Sequence, residues 1–114
     1  MEEIKATATA KYVRVSPLKA KRVADLIRGK NLNEALAILR ITNNKPARAF
    51  EKVVKSAAAN AENNHHMNVE KLYVSDVWAN EGPIMKRMKA KSRGQGAIML
   101  KRSAHLTVVL KHRV

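Results

Sequence analysis

The last third of the chain is rich in side chains that bind phosphate and lacks any that would neutralise them. Residues 82–114 hold nine Lys and Arg and no Asp or Glu, whereas residues 1–81 hold fourteen basic and all nine acidic residues. Both basic side chains donate charged hydrogen bonds, and the planar guanidinium of Arg can hold a phosphate with two of them. A solvated surface normally mixes charges of both signs. The counter-charge of this segment must therefore come from another molecule.

Eleven basic residues are candidates for phosphate contacts, and they form two groups. One group lies in the acid-free segment, where Arg could also stack on exposed bases. The other surrounds a predicted strand-to-helix turn, where the N–H groups at the start of a helix would attract an anion. The candidates are Lys11, Arg14, Lys19, Arg22, Lys86, Arg87, Lys89, Lys91, Arg93, Lys101 and Arg102. A solvated role stays open for any single one, but the missing acids argue against it for the run 86–102 as a whole.

The composition of the whole chain narrows the class of partner. A net charge of +14 on 114 residues favours a polyanion, which is most often a nucleic acid and otherwise an anionic membrane surface. No apolar run approaches the roughly eighteen residues of a membrane span, and the N-terminal residues do not form a signal-peptide pattern. The absence of Cys excludes disulfides and thiolate metal sites and fits a cytoplasmic protein.

Periodic patterns predict the elements that position the first group of candidates. Residues 4–15 alternate between small apolar and polar side chains, which indicates a strand. Ser16 and Pro17 are typical of the cap and first residue of a helix, and Gly29 is typical of its end. The predicted apolar stripe of this helix is Ala20, Val23, Ala24 and Ile27.

Two further helices are predicted. Asn31 and Glu34 have the spacing of a capping box and open a helix over 32–42. Residues 43–46 then end this helix and begin a third, which extends to about residue 64. The side chains predicted to be buried are Leu32, Ala35, Leu36 and Leu39 in the second helix and Ala47, Phe50, Val54, Ala57 and Ala61 in the third.

The C-terminal half is predicted to contain two strands joined by a long arm. Residues 68–79 and 104–112 have strand character, with Trp78 expected at the edge of the core rather than as a platform for bases. Glycines near the base and middle of the intervening segment, at Gly82, Gly94 and Gly96, predict a long hairpin with its turn near the last two. The expected fold is α+β, one domain over 1–114, with three helices packed on a small antiparallel sheet and a protruding β-hairpin arm over about 80–104.

Several long motifs in this order resemble one known family along essentially the whole chain. They are KYVRVSPLKAKRVADLIRGK at 11–30, EALAIL at 34–39, KSAAANAENN at 55–64, NEGPIMKR at 80–87, and SRGQ with KRSAHLTVVL between 92 and 110. In these segments the sequence resembles the bacterial form of the twenty-second ribosomal protein family of the large subunit.

The resemblance implies a structural role in the ribosome and no enzymatic activity. The expected partners are large-subunit ribosomal RNA, neighbouring ribosomal proteins and the nascent polypeptide, whose exit tunnel the hairpin would help to line. Neither a cofactor nor a homo-oligomer is expected. Ala90, Lys91 and Gln95 stand where members of this family typically have Pro, Arg and Arg. The residues expected to line the tunnel are Met88, Ala90, Gly94 and Gln95.

Two other classes of function are alternatives to this one. The His residues at 65, 66, 105 and 112 suggest a metal site or a general base, but no Cys, carboxylate cluster or His-Glu-x-x-His motif accompanies them. Residues 16–28 and 33–42 could form a DNA-binding helix-turn-helix, although the highest charge lies in the arm rather than in a recognition helix. Met85, Met88 and Met99 could pack the two arms of the hairpin together or form a soft surface for passing chains.

Overall fold

The expected α+β architecture is confirmed. A computed structural model describes residues 5–83, 85–90 and 96–112, and for 85–90 and 96–101 only the backbone is described. Three helices pack on a three-stranded antiparallel sheet, and two further strands pair with each other. The elements in chain order are β1 (Lys5–Val13), α1 (Pro17–Ile27), α2 (Leu32–Thr42), α3 (Lys45–His65), the 3-10 turn η1 (Val69–Lys71), β2 (Leu72–Glu81), β3 (Met85–Ala90), β4 (Gly96–Lys101) and β5 (Ala104–His112).

The core lies between the helices and one face of the sheet. The strand order is β1-β5-β2, so the most apolar strand is central and has a partner on each side. Phe50 of α3 is fully buried, and Leu106 and Leu110 of β5 are buried with it. Small side chains such as Ala6 and Ala57, both with no exposed surface, allow α3 to lie close to β1.

The helix ends agree with the sequence in position but not always in hydrogen bonding. Ser16 precedes α1 and Pro17 begins it, yet the Ser16 side chain makes no capping hydrogen bond. Gly29 follows the end of α1 with φ of +80°, a backbone conformation that glycine adopts without steric cost. Asn44 does cap α3, because its Oδ1 accepts a hydrogen bond of 2.9 Å from the backbone N–H of Ala47.

The prediction that the Asn31 side chain caps α2 as part of a capping box is wrong. Asn31 is the residue before α2, but its side chain makes no cap. Its backbone instead forms an isolated bridge with Tyr73 of β2. Pairing with the sheet therefore fixes this turn.

Three other details differ from the sequence expectation. The strand predicted from residue 68 begins only at Leu72, because the side chain of Asn68 accepts from the Glu70 N–H and closes the 3-10 turn. Leu36 is half-buried rather than buried. Trp78, expected at the edge of the core, is 40% exposed, while its neighbours Val77 and Ala79 on either side are buried.

The arm is a two-stranded ribbon joined to the sheet by a small hydrogen-bonded junction. β3 and β4 pair in antiparallel register from Met85 with Lys101 to Ala90 with Gly96, and residues 91–95, including the predicted turn at Gly94, lie outside the described residues. At the junction, the Gly82 N–H donates to the Ser103 carbonyl, and the Ser103 hydroxyl donates to the Pro83 carbonyl, both at 2.9 Å. The longest dimension of 64 Å agrees with an arm that extends from the body.

Among the helices of the described residues, none is long and apolar enough to cross a bilayer.

Candidate nucleic-acid interface

A basic groove opens where α1 and α3 begin. Its volume is about 610 Å³, and none of its lining residues is acidic. Three of the four body residues predicted to bind phosphate line it together: Arg14, Lys19 and Arg22. Lys45 adds a fourth cation from the start of α3. We call these four exposed residues with their surroundings the basic groove; its other lining residues are Val15, Ser16, Val23, Leu26, Thr42, Asn44 and Pro46.

Local sequence explains why these side chains converge. Arg14 lies in the short bend between β1 and α1, directly before the Ser16–Pro17 helix start. Lys19 and Arg22 are three residues apart on α1, so they project from the same face of the helix. α3 begins beside them, with Pro46 in its first turn. Sequence reasoning missed Lys45, although its place before a helix-initiating Pro repeats the pattern at Ser16 and Pro17.

The backbone adds to the positive potential of the basic groove. The first N–H groups of a helix have no partner within it and carry partial positive charge. Neither α1 nor α3 has an acidic residue in its first turn. α1 also lacks a side-chain cap from Ser16, whereas Asn44 occupies one N–H group of α3. The start of α1 is therefore the better placed of the two to receive an anion.

Two acidic side chains of the body, those of Asp25 and Glu51, pair with cations outside the basic groove. In the part of the chain that the structure describes, the salt bridges join Arg28 to Asp25 and both Arg40 and Lys55 to Glu51. The hydrogen bond from Lys55, followed by that from Arg40, lowers the pKa of the Glu51 carboxyl below its usual value. The four cations of the groove take part in none of these pairs.

Two of the predicted phosphate contacts lie elsewhere. Lys11 is exposed on β1 and does not line the basic groove. Arg102 is exposed between β4 and β5, at the base of the arm. Lys11 is thus separated from the other body candidates.

The pairing of the arm strands keeps their basic residues apart. Lys86, Arg87 and Lys89 lie on β3, and their partners on β4 are Leu100, Met99 and Ala97. No two basic residues are directly opposite in this register, which avoids the repulsion of like charges across a sheet. The register pairs no two methionines either, since Met85 lies opposite Lys101 and Met88 opposite Ile98. The candidates Lys91, Arg93, Gly94 and Gln95 lie outside the described residues.

The histidines have structural roles in the body. His105 Nδ1 accepts from the Tyr12 N–H at 3.1 Å, and the two rings meet edge to face. His112 Nε2 accepts from the Asn68 N–H at 3.0 Å. His65 is the last residue of α3, and His66 ends the helix in a left-handed conformation. The described residues contain no group of three or more potential metal ligands.

The helix-turn-helix alternative finds no support in α2. Of its two charged residues, Glu34 is acidic and lies in the first turn, where a recognition helix would approach phosphates. The other, Arg40, pairs with Glu51 of α3 at 3.4 Å. The cations that line a shared surface belong instead to the starts of α1 and α3.

Comparison with known proteins gives a consistent result. Residues 8–111 match the family described as Ribosomal protein L22p/L17e. The large ribosomal subunit protein uL22 of Clostridioides difficile (strain 630) is 54% identical over 110 residues, which cover 96% of this chain and 99% of that protein. The protein of the same name from Halothermothrix orenii is also 54% identical, with 96% and 97% covered. That of Thermotoga sp. (strain RQ2) is 50% identical, with 99% and 71% covered. The match extends over nearly the whole chain and agrees with the resemblance carried by the sequence motifs, so this chain belongs to the ribosomal protein L22p/L17e family.

Proposed function

We propose that the chain is a cytoplasmic structural constituent of the large ribosomal subunit and binds large-subunit ribosomal RNA through two surfaces. The first is the basic groove of the body. The second is the arm with its base, which carries the candidates Lys86, Arg87, Lys89, Lys91, Arg93, Lys101 and Arg102. Its family consists of structural ribosomal proteins, and the chain is not an enzyme.

The basic groove is the observation that carries this proposal. Four exposed cations from two helix starts meet in one concavity without an acidic neighbour. No salt bridge among the described residues neutralises them, so the groove favours a ligand that carries several negative charges at close spacing. Folded RNA offers such charges, because its phosphates approach one another where strands cross. Lys11, on the exposed part of β1, would contribute a separate and weaker contact.

The salt dependence of RNA binding tests the body surface. A variant with Arg14, Lys19, Arg22 and Lys45 changed to Gln should bind a large-subunit RNA fragment more weakly, and its affinity should fall less steeply with salt. If each residue neutralises about one phosphate, the slope should decrease by roughly three. The matched control changes Lys5, Lys21, Lys30 and Lys71 to Gln, which removes the same charge from other exposed positions. Equal slopes in the two folded variants would contradict the assignment of the groove.

The arm is tested by the same measurement. Changing Lys86, Arg87, Lys89, Lys91 and Arg93 together to Ala should also flatten the salt dependence, because residues 82–114 contain no acid that could neutralise these cations. An unchanged slope in a folded variant would show that the arm is not an electrostatic anchor.

We further propose that the far part of the arm lines the tunnel through which nascent protein leaves the ribosome, with Met88, Ala90, Gly94 and Gln95 at its surface. This rests on the family and on the ribbon formed by β3 and β4. A photoreactive amino acid at position 88 should cross-link to a stalled nascent chain in assembled ribosomes, whereas one at the exposed body residue Leu18 should not. Cross-linking from Leu18 alone would contradict this orientation of the molecule.

A further inference from the structure

The two outer strands of the three-stranded sheet, β1 and β2, differ in how the rest of the chain hydrogen-bonds to their outer edges. Along β2, the turn after α1 satisfies the outer edge, since the Gly29 N–H donates to the Val74 carbonyl and the Val74 N–H donates to the Lys30 carbonyl, both at 2.8 Å. Farther along, the Arg28 guanidinium donates to the Val77 carbonyl at 2.8 Å. The β2 edge is therefore closed to another strand at Val74 and Val77.

The outer edge of β1 has one such contact among the described residues. The side-chain amide of Asn60 on α3 donates to the Thr7 carbonyl at 3.1 Å. In an antiparallel strand the N–H and C=O of one residue point to the same side, and the side alternates along the strand. The outward carbonyl of Thr7 therefore places the N–H and C=O of Thr9 on the outer edge as well. The side chains of Thr9 and its partner Thr107 approach within 3.3 Å, as expected for a pair that does not exchange backbone hydrogen bonds.

A second groove runs beside this open edge. It has a volume of about 510 Å³ and lies between β1 and the first half of α3. Its small and apolar lining residues are Ala8, Ala10, Val13, Ala49 and Val53. Its rim carries Lys45, Arg48 and Lys52, and all three are exposed. We call this feature the edge groove.

We propose that the edge groove and the β1 edge bind an extended acidic segment of a partner polypeptide, which adds to the sheet as a fourth strand. The outward N–H and C=O groups of β1 are complementary to a strand backbone, the usual basis of such addition. Exposed strand edges in natural proteins are commonly covered or protected. Among the described residues, the edge of β2 is covered at Val74 and Val77, whereas the edge of β1 has the one contact at Thr7.

The basic rim specifies the charge of the segment. Arg48 and Lys52 are four residues apart on α3, about 6 Å along the helix axis. Alternate residues of an extended strand are about 6.7 Å apart, so acidic residues at every second position would match the two cations. The methylene groups of these acidic side chains would cover the alanines of the groove floor.

Two other occupants fit the edge groove less well. RNA phosphates would satisfy the rim but would leave the alternating backbone groups of β1 and the alanine floor without complementary partners. A second copy of this chain paired through β1 would bring its own rim and its +14 charge against the first. An acidic polypeptide satisfies the backbone, the floor and the rim together.

Titration of the full-length chain with a peptide of alternating Glu and Thr, of the same length as β1, tests the proposal. We expect binding accompanied by slower amide exchange at Thr7 and Thr9, because their outward N–H groups would enter new hydrogen bonds. Two further peptides of the same sequence carry N-methyl groups on every second amide, one at the odd and one at the even positions. One of the two should bind at least about tenfold more weakly than the unmodified peptide, because its methylated amides are those that would donate to β1.

Charge reversal locates the binding site. Arg48→Glu with Lys52→Glu should weaken peptide binding by about tenfold or more, because attraction becomes repulsion at two positions. The matched control, Lys30→Glu with Lys71→Glu, makes the same charge change beside the closed β2 edge and should alter affinity by less than about twofold. Neither pair lies in the basic groove, so both variants should keep the salt dependence of RNA binding described above.

Several results would overturn the inference. Equal losses in the two charge-reversal variants would mean that the peptide responds only to net charge. Undiminished binding of both N-methylated peptides, or unchanged exchange at Thr7 and Thr9, would exclude strand addition. Displacement of the peptide by polyuridylate, with the same dependence on Arg48 and Lys52, would assign the edge groove to nucleic acid instead.

Discussion

The body and the arm hold their positive charge in different ways. In the body, cations alternate with acids along the chain, and residues such as Arg40 and Lys55 pair with Glu51 on a framework held by buried side chains. From residue 82 onward the arm has basic residues and no acid, and its two strands form a sheet of their own. A folded framework can hold a few unpaired cations in a groove, as at Arg14 and Arg22. A ribbon without acids depends on its partner for counter-charge.

The largest effect on stability is expected when the Phe50 ring is removed from the body. Phe50 has no exposed surface and lies at the centre of the body, so Phe50→Ala should lower the free energy of unfolding by about 3–5 kcal/mol. Ile41→Ala is the control, because Ile41 is 83% exposed and should change stability by less than about 0.5 kcal/mol. Urea denaturation of the free protein measures both. A loss below about 1 kcal/mol for Phe50→Ala would mean that this core does not hold the body together.

An intermediate effect is expected at the junction of body and arm. A Cβ at Gly82 would lie 2.6 Å from the Ser103 hydroxyl oxygen, so Gly82→Ala must displace the hydroxyl that donates to Pro83. We expect a loss of about 1 kcal/mol, the usual contribution of one hydrogen bond. Ser103→Ala removes the obstructing oxygen, so adding Gly82→Ala to that background should cost clearly less. If the stability losses of the two single variants simply add in the double variant, the contact between the new Cβ and the Ser103 hydroxyl is not the cause of the loss.

The smallest effect on stability is expected from removing the arm. Replacing residues 86–99 with a short Gly-Ser turn should change the free energy of unfolding by less than about 0.5 kcal/mol, because the arm strands contact chiefly each other. The same variant should bind RNA less tightly. We also expect the arm to gain amide protection only when RNA is added, since ordering it alone costs entropy and brings like charges together. Strong protection across 86–99 in the free protein would remove the contrast between the two regions.

Much of the fold could be predicted because local patterns and global packing agree. The stripes on the helices, including Ile27, Leu39 and Val54, are buried as predicted. Pro17 and Pro46 mark helix starts that the structure confirms. The family was also evident from motif order, since long matching segments at fixed spacing rarely arise by chance.

The candidate site was predicted less completely. Arg14, Lys19 and Arg22 come together because one turn and one helix face connect them in sequence. Lys45 joins them from a helix that begins more than twenty residues later, and Lys11, on β1, does not line the groove. Periodicity describes one element at a time and contains no information about which elements meet.

The sequence by itself determined the α+β class, the order of helices and strands, the family and the concentration of charge in the arm. Each of these depends on residue types at short spacing, where propensity and hydrophobic period act directly. Only the tertiary structure decided that the starts of α1 and α3 share one groove and that Asn31 pairs with β2 instead of capping a helix. It also decided that the edge of β2 is closed at Val74 and Val77, whereas the edge of β1 has one contact, at Thr7, among the described residues. These outcomes depend on contacts between residues far apart in the chain, which form only when the helices settle on the sheet.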